Sequence, residues 1–364
     1  PKGFLYDELK VNNYKLPDPL ICLDGTKVVN SKLWLNKRRP EIINLFEQEV
    51  YGQSPSNTIP IRFEVVEEEK GALGGKAIRK QVIIHLGKGE QALAVNLLVY
   101  SPQNGKGPAP GFLTINFHGN HTVLSESGIL MPTSWVRNRN GIKDNRAREK
   151  DRGAAASRWD IDEIINRGYA FATVYYGDID PDFHDGFNNG PHALFPPQDP
   201  SGRKPSDWAS IAGWAWGLSR CLDYLEKDSL IDGKRVAVMG HSRLGKTSLW
   251  AGATDERFAM VISNNSGCGG AAISRRRFGE TVNRINTSFP HWFCDNYKKY
   301  NDNEGNCPVD QHMLIALSAP RPVYIASAEE DRWADPTGEF LSSLHAEPVY
   351  KLFGYGFGAT RKPP

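Results

Sequence analysis

The chain has 364 residues, of which 40% are hydrophobic and 24% charged, and its 44 Lys and Arg against 42 Asp and Glu give a net charge of +2. This composition is typical of a globular protein and excludes an intrinsically disordered chain. The balanced charge argues against a nucleic-acid partner. The most apolar run, Ala92–Tyr100, is far shorter than the roughly 20 residues that cross a membrane, so we expect no membrane partner either.

The first predicted elements are three β-strands between about residues 60 and 100. They are Arg62–Val66, Lys80–His85 and Leu93–Tyr100. Glycines at 71, 74, 75, 87 and 89 separate these strands and are typical of hairpin turns. We therefore predict antiparallel pairing in this part of the chain.

From Gly111 onwards, short apolar runs alternate with helical segments. The predicted strands are Phe112–Phe117, Ala170–Tyr175, Arg235–Met239, Met260–Ser263 and Pro322–Ala326. The predicted helices are Ser157–Arg167, Trp208–Glu226, Lys246–Gly252 and Thr337–His345. This alternation predicts a mostly parallel sheet with buried strands. We therefore expect one α/β domain over residues 1–364, with a mixed sheet between two helical layers.

Two connections are unusually long, at residues 118–156 and 177–206. Each follows a predicted strand and so leaves the carboxyl edge of the sheet, where open α/β sheets bind their ligands. Loops of this length in a compact domain are usually functional or disordered. We expect these two to form the walls of a cleft.

The segment Gly240–Thr247 follows a predicted strand and opens a predicted helix, and two kinds of site fit it. It matches GxxxxGK[ST], the phosphate-binding P-loop, in which Lys246 contacts the phosphates and Thr247 a magnesium ion. It also resembles a nucleophile elbow, the sharp turn that exposes a serine hydroxyl, here that of Ser242.

The surrounding sequence favours the elbow. The loop interior His-Ser-Arg-Leu is bulky for a P-loop, and no later apolar strand ends in the aspartate that would hold magnesium. The elbow pattern G-x-S-x-G is itself imperfect, since Leu244 stands where glycine is expected and Gly245 follows one position later. An ordinary strand–turn–helix without function is the third interpretation.

The second half of the chain resembles the glucuronoyl esterases, a carbohydrate esterase family of the α/β-hydrolase superfamily, and its bacterial branch especially. The resemblance covers about residues 111–354 and decides against the P-loop. The runs that carry it are Gly240–Thr247, Ala251–Ala253, Asp255–Phe258, Ser263–Gly267, Phe278–Thr281, Phe289–Phe293, Pro308–Met313 and Ala328–Pro336. It implies an α/β-hydrolase fold, with a three-layer αβα sandwich, and no cofactor or metal.

The resemblance also implies roles for individual residues. Ser242 would be the nucleophile, and Arg243 would stabilise the oxyanion, as a fixed cation beside a developing alkoxide can. Lys246 and Glu280 would bind hydroxyls of the glucuronate ring. Trp333 would contact the sugar, although core packing is an alternative role for this indole.

The triad acid is where the chain departs from the family. Cys268 occupies a position where many members carry glutamate, so we expect Asp331 to be the acid, with Glu329 and Glu330 as chemical competitors. The family's histidine motif is not visible. We expect His345 to lie on a helix surface and the catalytic histidine to lie beyond Pro364.

Other candidate sites are weaker. His118 and His121 follow a strand in the position of an HGGG-type oxyanion loop, and an HxxH pair without a third ligand is a poor zinc motif. The triplet at residues 275–277 (Arg-Arg-Arg) fits an acidic glycan or a solvated face. Cys294 and Cys307 could form a disulfide, although free thiols are the simpler expectation.

The resulting hypothesis is a serine esterase that cleaves esters of (4-O-methyl-)glucuronic acid in glucuronoxylan, including those that link it to lignin. An acetyl xylan or other carbohydrate esterase and a catalytically silent glycan-binding protein are the alternatives. The resemblance implies a secreted or periplasmic location, and we expect a monomer.

Overall fold

The computed structural model describes residues 3–56, 58–89, 92–138, 142–197, 199 and 201–356. The chain forms two compact units. The first comprises Pro1–Ser54, Asp199–Ala212 and Met239–Pro364, and the second Pro55–Gln198 and Gly213–Val238. The single domain expected from the sequence stays a prediction. In the described ranges, no helix combines the length and the apolar character that a bilayer span requires.

Eight strands are present in the described parts of the chain. They are β1 Ile61–Gly71, β2 Ala77–Leu86, β3 Leu93–Pro102, β4 Ala109–Asn116, β5 Ala170–Tyr175, β6 Ile231–His241, β7 Met260–Asn264 and β8 Val323–Ala326. The α-helices are α1 Ser31–Leu33, α2 Arg39–Glu49, α3 Ala72–Gly75, α4 Ile161–Asn166, α5 Tyr176–Ile179, α6 Gly190–Leu194, α7 Ser210–Leu225, α8 Arg243–Thr254, α9 Val282–Ser288, α10 Gln311–Ala316 and α11 Pro336–Lys351, and short 3-10 helices lie between some of them.

In the second unit, the strand order is β1-β2-β3-β5-β4. The pairs β1–β2, β2–β3 and β3–β5 are antiparallel, whereas β4 and β5 are parallel. The antiparallel start is therefore confirmed, and the sheet is mixed. Every residue of β5 is buried, as expected for a continuous apolar strand.

A hydrophobic cluster of the second unit explains why α4 lies where it does. Ile161 and Ile165 of α4 pack with Tyr100 of β3 and Phe171 of β5. The helix is shorter than expected because the side chain of Asp160 accepts a hydrogen bond from the Glu163 amide and caps its first turn.

In the first unit, β7 and β8 pair in parallel. Helix α8 packs so closely on β7 that a Cβ added at Gly252 would lie 2.2 Å from Val261 Cγ2. The end of β6 also belongs to this unit, where the amide of Ser242 donates to the carbonyl of Asn264 at the end of β7 (2.8 Å). The ends of β6, β7 and β8 therefore bring their following loops together.

The two long connections contain only short helices among their described residues. The proposed role of these loops as cleft walls stays a prediction.

Candidate active site

Ser242 sits at a strained turn between β6 and α8. Its backbone has φ 56° and ψ −125°, a conformation that L-residues rarely adopt. A Cβ at Gly240 would come within 2.0 Å of the Leu244 carbonyl oxygen, so only glycine fits there. Strain that the surrounding structure maintains is typical of a functional position. The geometry is that of a nucleophile elbow.

Gly245 explains the departure from the G-x-S-x-G pattern. A Cβ at this position would lie 3.0 Å from Ser266 Cβ and 3.1 Å from Ser263 Oγ. The close approach between α8 and β7 therefore occurs at 245, and the side chain at 244 is a buried leucine.

The P-loop interpretation is wrong. The Lys246 ammonium is buried and donates to the Ser266 carbonyl, and the Thr247 hydroxyl donates to the Arg243 carbonyl (3.0 Å). The hydroxyl that a P-loop would offer to magnesium is thus engaged within the protein, and the turn that precedes it has the geometry of a nucleophile elbow.

Lys246 and Glu280 interact electrostatically in a buried environment. Burial lowers the pKa of Lys246, and the negative charge of Glu280 opposes that shift. Burial raises the pKa of Glu280, and Lys246 and Arg243 oppose that shift in turn. The structure thus brings together three of the residues singled out in the sequence, on α8 and in the loop before α9.

Trp333 is joined to Glu280 through the backbone. The amide of Glu280 donates to the Trp333 carbonyl (3.1 Å). The preceding amide, that of Gly279, donates to the carbonyl of Leu5 (2.8 Å), and the ring of Phe4 packs edge-on against Trp333 with centroids 5.0 Å apart. The N-terminal segment therefore supports the indole and the carboxylate, a contact that the sequence did not indicate.

Arg243 lies over aromatic rings. Its guanidinium carbon is 4.5 Å from the ring centroid of Trp292 and 5.2 Å from that of Phe289. These two rings are stacked, with centroids 3.7 Å apart and planes 2° from parallel. Cation–π contacts of this kind attract a guanidinium to the face of an aromatic ring.

Asp331 lies in the loop after β8 and is held there by Asn265, the residue that directly follows β7. The amide nitrogen of the Asn265 side chain donates to Asp331 Oδ2 (2.8 Å), and its oxygen accepts from the Ala328 amide (3.1 Å). Glu329 and Glu330 are exposed. Asp331 is thus the partly buried carboxylate of this loop, and Asn265 is a residue that sequence analysis missed.

Cys268 is buried, and its main charged neighbours are Glu280 and Lys246. Burial raises the pKa of its thiol well above the ordinary value, and the charge of Glu280 adds to this rise. A neutral thiol cannot act as an anionic triad member.

Glu339 is a second residue that the sequence did not single out. It lies on α11 and is fully buried. Its carboxylate accepts from the Gly267 amide (2.8 Å), the Ser266 hydroxyl (3.2 Å) and the Ser327 hydroxyl. A glutamate in a helical segment gives no signal of such a role until its neighbours in space are known.

The remaining candidates have other environments. His345 is exposed on α11, as expected, with its ring centroid 6.2 Å from that of His312. For the HxxH pair, the described part of the chain contains no group of three or more His, Cys, Asp or Glu placed to hold a metal. Burial lowers the pKa of the His121 imidazole to about 4. The amides of His118 and Gly119 donate to the Asn116 side chain, so they are engaged within the protein.

The arginine triplet is paired within the protein. Arg275 contacts Asp310, Arg276 contacts Asp335, and Arg277 contacts Asp302. All five cysteines are buried and unlinked, so no disulfide joins Cys294 to Cys307.

Comparison with known proteins identifies the family. The family model described as "Glucuronyl esterase, fungi" matches residues 203–354. A carbohydrate esterase from an unknown prokaryotic organism is 55% identical over 100% of this chain and 84% of its own length.

Two solved structures are similar over nearly the whole chain. A promiscuous CE15 esterase from a marine bacterial metagenome is 54% identical with a TM-score of 0.93, over 100% of this chain and 91% of that one. A glucuronoyl esterase from Solibacter usitatus is 49% identical with a TM-score of 0.92, over 98% of this chain and 90% of that one. The predicted α/β-hydrolase class is therefore confirmed, and the chain belongs to carbohydrate esterase family 15, the glucuronoyl esterases.

Proposed function

We propose that this chain hydrolyses esters of (4-O-methyl-)glucuronic acid in glucuronoxylan, including those that link it to lignin alcohols, through a serine nucleophile. The observation that carries the proposal is the elbow at Ser242, followed by a helix whose first two turns contain Arg243 and the buried Lys246. A partly exposed serine on a strained turn and a nearby cation are the elements that acyl transfer needs.

In this mechanism, the Ser242 hydroxyl attacks the ester carbonyl while its proton passes to a general base that Asp331 orients. The negative charge that develops on the carbonyl oxygen is stabilised by the guanidinium of Arg243 and by the amides at the start of α8. The tetrahedral intermediate collapses, and the alcohol leaves with a proton. Water then hydrolyses the acyl-enzyme to free uronic acid and regenerates the serine.

Recognition of the uronate is assigned to Lys246, Glu280 and Trp333. An ammonium and a carboxylate can donate to and accept from vicinal hydroxyls of a sugar ring. The indole offers an apolar face and an N–H donor. The backbone hydrogen bond between Glu280 and Trp333 supports this assignment, because it joins the two loops that carry these side chains.

Turnover of benzyl glucuronate, followed as released benzyl alcohol, tests the proposal, with Ser242→Ala as the control for nucleophilic catalysis. We expect turnover by the wild type and none by the variant. Binding of glucuronate without turnover by the wild type would instead favour a silent glycan-binding protein.

A broader carbohydrate esterase is the second candidate, because a relative that is 54% identical is described as promiscuous. Parallel assays with acetylated xylan separate the two functions. A kcat/KM that is higher for acetylated xylan than for benzyl glucuronate would favour the broader activity.

We further propose that the protein acts outside the cytoplasm as a monomer. The substrate is a cell-wall polysaccharide, which supports an extracellular location. Light scattering at assay concentration should give the mass of a single chain.

A further inference from the structure

The loop after β7 connects the substrate-binding ammonium to a buried carboxylate on α11. Lys246 donates from Nζ to the carbonyl oxygen of Ser266. The hydroxyl of the same serine and the amide of Gly267 donate to Glu339 Oε1, at 3.2 and 2.8 Å. The carbonyl that holds the lysine and the groups that hold the glutamate therefore belong to one turn.

The second oxygen of Glu339 fixes another loop. Oε2 accepts from the hydroxyl of Ser327, which directly follows β8. One carboxylate thus joins α11 to the ends of both β7 and β8. Burial raises the pKa of Glu339, because a desolvated carboxylate favours its neutral form, and the hydrogen bonds from Ser327, Gly267 and Ser266 together with the charge of Lys246 act in the opposite direction.

We propose that Glu339 is a positioning residue of the esterase site, which holds the Ser266–Gly267 turn in place and supplies a buried negative charge that keeps Lys246 protonated for binding the uronate. This inference rests on the proposed role of Lys246. It assigns a function to a residue that does not itself touch the substrate.

The charges around Lys246 support this role. Burial lowers the pKa of its ammonium, and Arg243 lowers it further. Glu280, the thiol of Cys268 and Glu339 act in the opposite direction. Glu280 is assigned to bind substrate and the thiol is neutral, so Glu339 is the carboxylate that remains dedicated to the lysine.

These charges determine the direction in which the pKa of Lys246 changes when the Glu339 charge is removed. An opposite charge near a lysine raises its pKa, typically by about one or more units. Loss of the Glu339 charge therefore lowers the pKa of Lys246, so the cationic form is lost at a lower pH. Binding that requires the cation should weaken from the alkaline side.

The decisive variant is Glu339→Gln, which keeps the size of the side chain and can accept hydrogen bonds from the same turn. Binding of D-glucuronate is measured by calorimetry between pH 6 and pH 10, so the result does not depend on turnover. We expect the alkaline loss of binding to move down by about one pH unit, with Kd about tenfold higher on that limb. KM for benzyl glucuronate should follow the same profile.

Two further variants separate charge from structure. Glu347→Gln is the matched control, because Glu347 lies on the same helix, is 9% exposed and pairs with Lys351 instead (3.1 Å). It should leave the pH profile unchanged. Ser327→Ala removes one donor but keeps the Glu339 charge, so it should lower the melting temperature without moving the alkaline limb. Circular dichroism verifies that each variant is folded.

A wild type that binds glucuronate and an E339Q protein with an identical profile would overturn this inference alone. An equal shift in Ser327→Ala and E339Q would show that geometry, and not charge, controls the lysine, and would also overturn it. A wild type that neither binds nor hydrolyses a glucuronate ester would instead refute the proposed function on which the inference depends.

Discussion

Replacing Gly279 by alanine tests whether the backbone around Glu280 and Trp333 forms the uronate site. Gly279 has φ +62°, a region that costs an L-residue about 1–2 kcal/mol. A Cβ there would also lie 2.5 Å from the carbonyl oxygens of both Arg332 and Trp333, and backbone atoms cannot rotate away as a flexible side chain can.

The expected loss of stability in Gly279→Ala depends on how far the added methyl group displaces the neighbouring backbone. Relieving this overlap shifts the 332–333 backbone away from Gly279 and stretches two hydrogen bonds, Gly279 to Leu5 (2.8 Å) and Glu280 to Trp333 (3.1 Å). Each bond contributes about 0.5–1.5 kcal/mol. Together with the backbone penalty, we expect the free energy of unfolding to fall by about 2–5 kcal/mol. We also expect KM for benzyl glucuronate to rise more than kcat falls, because the displaced groups are those proposed to bind the sugar.

Urea denaturation and steady-state kinetics measure the two effects, and the chain offers two matched controls. Gly354 has φ +81°, and a Cβ added at this position would meet nothing within 4 Å, so Gly354→Ala isolates the backbone penalty. Gly305 also has open space and no positive φ, so Gly305→Ala should be nearly neutral. If Gly279→Ala matched Gly354→Ala in stability and the wild type in KM, the assignment of this segment to the substrate site would be refuted.

Three further predictions concern Asp331, Arg243 and Cys268. Asp331→Asn should lower kcat by about 10²–10⁴-fold, as expected when a triad histidine loses its orienting carboxylate, whereas Glu329→Gln should stay within about twofold of the wild type in the same assay. Arg243→Met should lower kcat by about 10²–10³-fold with little change in KM, because it removes charge stabilisation that acts mainly in the transition state; an effect on KM alone would contradict that role. Since burial raises the pKa of Cys268 far above its ordinary value, the native protein should resist iodoacetamide at this thiol at pH 8 and react only after unfolding in urea, as peptide mass spectrometry would show.

The sequence predicted the elements that depend on local pattern. Strand β5 was located at Ala170–Tyr175, as observed, because both of its faces are buried and its apolar run is continuous. The helix expected at Thr337–His345 instead spans Pro336–Lys351, because the Asp335 side chain caps its start and the helix continues past Pro348. Local composition does not fix such ends.

Contacts between residues that are distant in the chain could not be predicted from the sequence. The packing of Phe4 against Trp333 joins the N-terminal segment to the loop after β8, and no spacing or periodicity encodes it. The same holds for Glu339, whose helical segment indicates a helix but not which loop its carboxylate binds. The elbow at Ser242 was predictable because strand, glycine and serine are adjacent in the chain.

The cysteine at position 268 has a consequence for the arrangement of charge in the site. A second carboxylate at this buried position would add to the charges of Glu280 and Glu339 around the single ammonium of Lys246, and like charges in a desolvated site raise one another's pKa values. A neutral thiol avoids that repulsion, but it also removes a potential acid for the triad. Asp331 is placed to fill that role from the loop after β8, where its side chain is partly exposed and accepts a hydrogen bond from Asn265. The proposed separation of two functions, uronate binding beside Cys268 and histidine orientation at Asp331, therefore agrees with the limited capacity of a buried site for negative charge.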